Sequence, residues 1–219
     1  MVQNFVVTID GPAASGKSSV SRELARRLSC PWLSTGAFYR GLAYVALQKR
    51  IPLDDVTAIS MLADSSEWSV EVSSERTKVI FQKNDVTDAI SAEEVGNYAS
   101  LISKHPEVRT ALLAQQRKFA HQNRGLVAEG RDCGTVIFPE AQAKIYLTAS
   151  SERRAERRAQ EKGAELSQIQ AAQKDRDNQD INRQAAPLQA ASDAFLIDST
   201  EMSLSEAVNQ IEKFVLSRI

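Results

Sequence analysis

A short segment near the N-terminus combines glycines, a lysine and hydroxyl groups at a spacing that suits phosphate chemistry. It consists of Gly11, Pro12, Ala13, Ala14, Ser15, Gly16, Lys17, Ser18 and Ser19. Glycines let the backbone amides turn inward, and the start of a following helix adds positive potential. Lys17 suits the β- and γ-phosphates of a nucleotide, and the Ser18 hydroxyl suits Mg²⁺. The segment therefore predicts a site for a nucleoside triphosphate and its magnesium ion.

This loop alone does not define the reaction. A GTPase would need an Asn-Lys-x-Asp segment that reads guanine, and the sequence contains none. A mechanical ATPase usually carries a long hydrophobic strand that ends in an acidic residue, whereas the nearest match, Leu126 to Glu129, is short. Transfer of the terminal phosphoryl group to a small acceptor is the reaction that the sequence favours.

Several arginines stand in polar contexts that suit such a transfer. Arginine grips phosphate with two parallel hydrogen bonds and stays charged when water is expelled. The candidates are Arg40, Arg131, Arg176 and Arg183, with Asp180 between the last two, and the crowded set Arg153, Arg154, Arg157 and Arg158. Two structural alternatives stay open, since the crowded set would also fit a solvated helix face and the Arg176 to Arg183 stretch an ion-pair ladder. The two glycines beside Arg131 favour a site there, because they imply close approach of the backbone to another group.

Short apolar runs alternate with helical patterns along most of the chain. We predict strands over 5–9, 32–33, 126–128, 145–147 and 195–198. Helices are predicted from the loop through Ser29, over 36–50, 54–64 and 107–122, over 151–184 as two helices broken near Gly163, and after two capping boxes at 91–94 and 203–206. This rhythm predicts an α/β fold of the P-loop NTPase type, with a parallel sheet flanked by helices and ligands at the carboxyl ends of its strands.

Residues 66–90 interrupt the rhythm, because 68–72 and 77–82 alternate apolar and polar residues as an antiparallel pair does. We expect one kinase-like domain over 1–219. Its core comprises about 1–35, 124–150 and 186–219, its acceptor-binding region with the small β-containing insertion covers about 36–123, and an arginine-rich helical segment, which the family resemblance given below implies is a lid, covers about 151–185.

Composition limits the partners and the setting. The 219 residues, 42% of them hydrophobic, suffice for one sizeable core. A net charge of −1 argues against binding of nucleic acid or membrane through bulk charge. Two cysteines, Cys30 and Cys133, make no disulfide framework, and no leader or transmembrane run is evident. We expect a cytoplasmic monomer without nucleic-acid or membrane partners.

Together the motifs resemble the bacterial-type cytidylate kinases, a branch of the nucleoside monophosphate kinases, over nearly the whole chain. They are Thr8 to Pro12, Gly36 to Arg40, Gly130 to Val136, Phe138-Pro139, Arg176 to Arg183, Ala186 to Leu188 and Asp198 to Thr200. The resemblance implies that ATP phosphorylates CMP or dCMP with Mg²⁺, within pyrimidine nucleotide metabolism.

The resemblance also implies a role for each site residue. Arg40, Arg131 and Arg183 would hold the acceptor phosphate, Ser100, Arg109 and Asp132 would read cytosine, and Asp180 and Arg176 would contact the ribose or the transferring phosphate. Arg154, Arg157 and Arg158 would belong to a mobile lid over ATP, and Lys17, Arg131, Arg176 and Arg183 would be catalytic. Thr35, on the acceptor side, stands where many relatives have Ser, and Glu129, a magnesium contact through water, where others have Asp.

The chemistry of cytosine makes this assignment reasonable. A carboxylate such as Asp132 accepts from the exocyclic amine, and Arg109 donates to the ring acceptors. Uracil would present a carbonyl to the carboxylate and leave a buried charge unpaired. A kinase for UMP or another small acceptor remains the alternative, and an ATP-dependent regulatory or assembly switch is a third hypothesis.

Overall fold

The computed structural model describes residues 4–163, 165–182 and 185–219, apart from the side chains of residues 161, 162, 172 and 176. Its elements, in chain order, are β1 (Phe5–Asp10), α1 (Lys17–Arg27), β2 (Trp32–Ser34), α2 (Gly36–Gln48), α3 (Val56–Ala63), β3 (Trp68–Val72), β4 (Thr77–Phe81), β5 (Asn84–Asp85), α4 (Glu93–Ile102), α5 (Pro106–Gln122), β6 (Gly125–Gly130), β7 (Ala143–Thr148), α6 (Ser151–Lys162), α7 (Leu166–Asn182), β8 (Phe195–Asp198) and α8 (Leu204–Leu216). A 3-10 turn, Ala89–Ser91, precedes α4, and a π-helical turn, Cys133–Ile137, follows β6.

The predicted parallel sheet is confirmed. Five strands lie in the order β2-β6-β1-β7-β8, and every neighbouring pair is parallel. All six residues of β6 are buried, as expected of a central strand covered on both faces. Since the strands run in one direction, their carboxyl ends meet at one edge, where Asp10 of β1 lies beside Gly130 of β6.

Two hydrophobic clusters cover the two faces of this sheet. Val127 of β6 packs with Leu24 of α1 and Val208 of α8. Its neighbours Leu126 and Ala128 belong to the opposite cluster, which contains the apolar residues of α2 to α5. Alternate residues of one strand thus bury against different helices, which fixes the position of the strand ends that form the site.

The predicted antiparallel insertion is also confirmed, with Trp68 of β3 opposite Phe81 of β4. The sequence did not predict the third strand, β5, because two exposed polar residues carry no apolar alternation. Trp68 attaches the insertion to α2 and α3: its ring meets Phe38 of α2 edge-on at 6.4 Å, and its indole N–H donates to the Leu62 carbonyl of α3 at 2.7 Å.

The two predicted capping boxes have different outcomes. Ser203 and Glu206 cap α8 reciprocally, as predicted. The box at Ser91 was wrong: α4 does begin at Glu93, but its N-cap is Ala92 without a side-chain hydrogen bond. The Ser91 hydroxyl instead donates to the Thr87 carbonyl, because Ser91 ends the preceding 3-10 turn.

The predicted break between two helices is confirmed at Gly163, which ends α6 with a left-handed φ of 60°. No helix in the described part of the chain combines the length and the apolar character that crossing a bilayer requires.

Candidate functional site

An open cleft of about 270 Å³ lies at the carboxyl edge of the sheet. Thirteen of the residues predicted for the site line it, namely Ala13, Ala14, Lys17, Ser18, Thr35, Arg40, Ser100, Arg109, Glu129, Arg131, Asp132, Arg158 and Asp180. The structure therefore brings the glycine-rich loop and the predicted acceptor residues to one space. Arg183 and the side chain of Arg176 lie outside the described residues.

The glycine-rich loop, residues 11–18, follows β1 and opens α1. Gly16 caps the helix with a left-handed φ of 90°, which favours glycine. Gly11 has no room for a side chain, since a Cβ there would lie 2.0 Å from the Leu147 carbonyl oxygen. Pro12, Ser15 and Ser19 complete the predicted segment, and Ser15 is buried whereas Ser19 is exposed. The loop backbone is thus wedged between the sheet and the first helix, as a phosphate cradle requires.

Lys17 is buried at the base of the loop. Its ammonium group donates to the Pro12 carbonyl at 2.5 Å and to the Ser15 hydroxyl at 3.4 Å. Burial, together with the charge of Arg131, lowers the pKa of Lys17 to about 7, although Glu129 and other carboxylates oppose the shift. A phosphate anion beside this ammonium group would raise the pKa again, so proton uptake and anion binding would be linked.

Ser18 and Glu129 meet where α1 begins and β6 ends. The Ser18 hydroxyl contacts both carboxylate oxygens of Glu129, at 2.9 and 3.1 Å. Hydroxyl and carboxylate oxygens are ligands that Mg²⁺ accepts. Within the described residues, no group of three or more His, Cys, Asp or Glu side chains is placed to hold a metal ion. This donor set therefore fits Mg²⁺ that is held largely by phosphates and water rather than by a protein cage.

Arg109 of α5 and Asp132, just after β6, form a hydrogen-bonded ion pair on the wall opposite the loop. Both side chains are nearly buried, and the Arg109 guanidinium also lies 5.6 Å from the centre of the Tyr39 ring. The Ser100 hydroxyl, on the same wall, donates to the Gly96 carbonyl at 3.0 Å. The wall thus presents a hydrogen-bond donor and an acceptor side by side, with an aromatic ring in cation–π contact with the guanidinium.

Arg40 and Thr35 lie at the start of α2. Arg40 donates to the carbonyls of Ile90 and Ala92, at 2.7 and 3.4 Å. Gly96 permits this approach, since a Cβ there would lie 2.8 Å from an Arg40 nitrogen. The buried Thr35 hydroxyl donates to the Glu129 carbonyl at 2.9 Å. The insertion and α4 therefore position Arg40, whereas Thr35 is tied to the strand.

Arg131 connects β6 with α7. Its Nε donates to an Asp180 carboxylate oxygen at 2.7 Å. Burial alone would lower the pKa of the Arg131 guanidinium, but Asp180, Glu129 and Asp177 outweigh it and raise the pKa. Arg131 therefore stays charged at this partly buried position, which is the property that phosphate recognition needs.

The structure divides the predicted lid arginines. Buried Arg154 donates to the Ala13 carbonyl at 3.0 Å and pairs with Asp177 of α7 at 2.7 Å. Arg157 donates to the Ser199 carbonyl at 2.6 Å and to the Ser15 carbonyl at 3.4 Å. Arg158 lines the cleft. Two of these arginines thus contact the backbone of the glycine-rich loop itself.

Arg153 fits the alternative that the sequence left open for the crowded arginines, a solvated helix face. It pairs with Glu156 at 2.9 Å, and both side chains are about half exposed. The ladder alternative for Arg176 and Arg183 falls outside the described residues.

Sequence reasoning missed four residues that the structure places at the site. Tyr39 supports Arg109, Asp177 holds Arg154, Ser199 accepts from Arg157, and Asp10 accepts two backbone hydrogen bonds from the turn after β6. All four lay within quoted motifs, but no spacing rule links Asp10 or Ser199 to partners so distant in the chain. Only the tertiary fold brings these residues and their partners together.

A parallel sheet with a glycine-rich loop after its first strand and an arginine-rich cleft at its carboxyl edge is the architecture of the P-loop class of proteins. A gluconokinase from Sinorhizobium meliloti has the same fold, with a TM-score of 0.54 at 14% identity over 99% of this chain and 94% of its own.

Sequence comparison gives the family. The family model described as cytidylate kinase matches residues 7–216. The cytidylate kinase of Bdellovibrio bacteriovorus is 55% identical over 98% of this chain and 99% of its own length, and that of a Geobacillus species is 43% identical over the full length of both. The chain belongs to the cytidylate kinase family.

Proposed function

We propose that the chain transfers the terminal phosphoryl group of ATP to CMP or dCMP, giving ADP and the corresponding diphosphate. One observation carries the proposal: a single cleft holds the Lys17-Ser18 end of the phosphate loop opposite the Arg109–Asp132 pair. Membership of the cytidylate kinase family supports this acceptor and does not favour UMP or another small molecule.

On the donor side, residues 11–19 bind the phosphates of ATP, and Lys17 neutralises the charge on the transferring group. Arg158 reaches the phosphates from α6. Arg154 and Arg157 act on ATP through the loop, because their guanidinium groups hold the Ala13 and Ser15 carbonyls.

On the acceptor side, the arginines Arg40, Arg131 and Arg183 hold the phosphate of the monophosphate. Arg109, Asp132 and Ser100 read the cytosine, with the Asp132 carboxylate accepting from the exocyclic amine. Thr35 shapes this side of the cleft, and Asp180 and Arg176 contact the ribose or the transferring phosphate. Asp180 now holds Arg131, so binding of the acceptor redistributes the hydrogen bonds of this pair.

The reaction needs alignment and charge neutralisation more than a general base. Lys17, Arg131, Arg176 and Arg183 supply positive charge around the in-line geometry, and the helical lid excludes water. Mg²⁺ bound by the Ser18 hydroxyl, with Glu129 reaching it through water, would neutralise charge on the phosphates when present.

We further propose the setting of the enzyme. The core (about 1–35, 124–150 and 186–219), the acceptor region (36–123) and the lid (151–185) act as one kinase domain. The chain acts as a cytoplasmic monomer in pyrimidine nucleotide metabolism, without nucleic-acid or membrane partners. A net charge of −1 and two buried thiols support this setting.

Product analysis tests the reaction. The protein is incubated with ATP, Mg²⁺ and CMP, and nucleotides are separated by ion-exchange chromatography. We expect ADP and CDP in equal amounts, and no conversion after chelation of Mg²⁺. ADP formation without CDP would contradict the proposal, and ATP binding without acceptor-dependent turnover would favour a regulatory switch instead.

A further inference from the structure

Asp10 is a buried carboxylate between the two halves of the site. It ends β1 immediately before the glycine-rich loop and is 4% exposed. One of its oxygens accepts from the Cys133 N–H at 2.8 Å, and the other accepts from the Gly134 N–H at 2.7 Å. A single side chain of β1 thus accepts hydrogen bonds from two consecutive backbone N–H groups in the turn that follows β6.

Those two donors belong to the turn that directly follows the proposed acceptor-binding residues Arg131 and Asp132. Cys133 and Gly134 begin the π-helical turn directly after Arg131 and Asp132. The amides of Val136 and Ile137 both donate to the Asp132 carbonyl, which closes the turn on itself. Because the turn is irregular, sheet hydrogen bonds do not fix its position. Arg117 of α5 donates to the carbonyls of Val136 and Ile137 at the far end of the turn, and the Asp10 carboxylate holds its first two residues.

The turn also lies unusually close to β1. A Cβ on Gly134 would lie 2.8 Å from the Thr8 hydroxyl and 3.4 Å from an Asp10 carboxylate oxygen. Glycine therefore lets the backbone reach the carboxylate. The close approach and the two hydrogen bonds together hold the start of the turn in one position against β1.

Stability does not account for a carboxylate at this position. Burial raises the pKa of Asp10 to about 6, with a further contribution from nearby Asp132, although the two amides lower it. Keeping the group ionised at neutral pH therefore costs folding free energy. Buried groups that oppose folding in this way are concentrated at functional sites.

We propose that Asp10 is a positioning residue for the acceptor site, which holds the Cys133 and Gly134 amides and thereby sets the directions of Arg131 and Asp132. Asp10 itself does not touch the acceptor, and the identity of that acceptor rests on the proposed function. The same carboxylate fixes the acceptor turn relative to the loop that follows Asp10 in the chain.

Asp10→Asn tests the proposal, because it keeps the shape but offers an amide N–H where one backbone N–H needs an acceptor. We expect kcat/KM for CMP to fall about 10- to 100-fold, as for loss of a buried charge-assisted hydrogen bond. The KM for ATP should change by less than about threefold, since the loop residues are untouched.

Thr8→Val is the matched control. Thr8 is buried on the same strand beside Gly134, and its hydroxyl has no hydrogen-bond partner among the residues that the structure describes. This variant removes a polar atom at equal volume and should leave both constants unchanged.

Amide hydrogen exchange gives a readout that does not depend on activity. The Cys133 and Gly134 amides should be protected in the wild type and in Thr8→Val, and should exchange at least about tenfold faster in Asp10→Asn. Unchanged exchange would overturn the proposal, and so would equal losses for CMP and ATP. If the wild type does not phosphorylate CMP, the proposed function is contradicted. The exchange rates of the Cys133 and Gly134 amides still test whether Asp10 holds the turn.

A double-mutant cycle tests whether Asp10 acts through its neighbour. In an Asp132→Asn background, Asp10→Asn should lower CMP kcat/KM by a smaller factor than it does in the wild type, because only the effect through Arg131 is left. Full additivity of the two losses would contradict the proposal that Asp10 acts through Asp132.

Discussion

The glycine-rich loop, proposed to bind the donor ATP, and the wall that carries Arg109 and Asp132, proposed to bind the acceptor and here called the acceptor wall, reach one cleft by different structural means. Residues 11–18 are contiguous, and their backbone conformation shapes the phosphate cradle that we propose. The acceptor wall is assembled from α2, α4, α5, the end of β6 and α7, and its arginines are held in ion pairs such as Arg109–Asp132 and Arg131–Asp180. Binding of a phosphate chain can thus be encoded locally, whereas choice of a particular acceptor depends on side-chain pairs that only the tertiary fold brings together.

The largest expected effect tests the donor half. Lys17→Ala should lower turnover by about 10²–10³ or more, by analogy with loss of one transition-state donor. Lys118→Ala, which removes an exposed lysine from α5, is the control and should leave kcat unchanged. Steady-state kinetics with ATP and CMP measures both. Turnover of Lys17→Ala within tenfold of the wild type would show that the loop lysine is not the phosphate clamp.

The pH dependence of stability tests the residue that joins the two halves. The pKa of Asp10 in the folded protein is raised from 3.8 to about 6, so the protonated form favours folding. Its contribution is fully present below pH 3.8 and is lost as the pH rises through 6. This contribution is on the order of 3 kcal/mol.

Urea denaturation of the wild type and Asp10→Asn between pH 4.5 and 7 measures this effect. Relative to the wild type, Asp10→Asn should become more stable as the pH rises. Asp132, Lys17, Cys133 and Tyr146 lie near enough to interact with the Asp10 charge. Parallel stability curves for the two proteins would contradict a buried, ionised Asp10.

Asp132→Asn tests the acceptor half. The preference for CMP over UMP, as a ratio of kcat/KM values, should fall about 10- to 100-fold, because the carboxylate no longer distinguishes an amine from a carbonyl. The KM for ATP should change little. Asp193→Asn is the control, since Asp193 is an exposed acid that pairs with Lys144. An unchanged preference would remove Asp132 from base recognition.

The smallest effect concerns the lid. Arg158→Ala should lower kcat about tenfold while changing the KM for CMP less, because the lid acts after the acceptor has bound. Arg153→Ala on the same helix removes an equal charge from an exposed ion pair and should change neither constant. Equal effects of the two substitutions would mean that the general charge of the helix, rather than contact with the cleft, matters.

Features encoded within a few residues could be predicted from the sequence. The glycine-rich loop, the five parallel strands and the β3–β4 hairpin follow from local spacing and periodicity. The link from Asp10 to Cys133 could not be predicted, because it depends on β1 and β6 being neighbours in the sheet. The family resemblance grouped Arg154 and Arg157 with Arg158 as lid residues, but the fold turns the guanidinium groups of Arg154 and Arg157 toward the loop carbonyls.

A panel of acceptors tests the central claim most directly. Initial rates with ATP and Mg²⁺ are measured side by side for CMP, dCMP, UMP, AMP, GMP and shikimate. The arrangement of Arg109 and Asp132 predicts that CMP and dCMP give the fastest acceptor-dependent formation of ADP. A clearly faster reaction with AMP, GMP or shikimate would contradict the assignment of this cleft to a cytosine monophosphate.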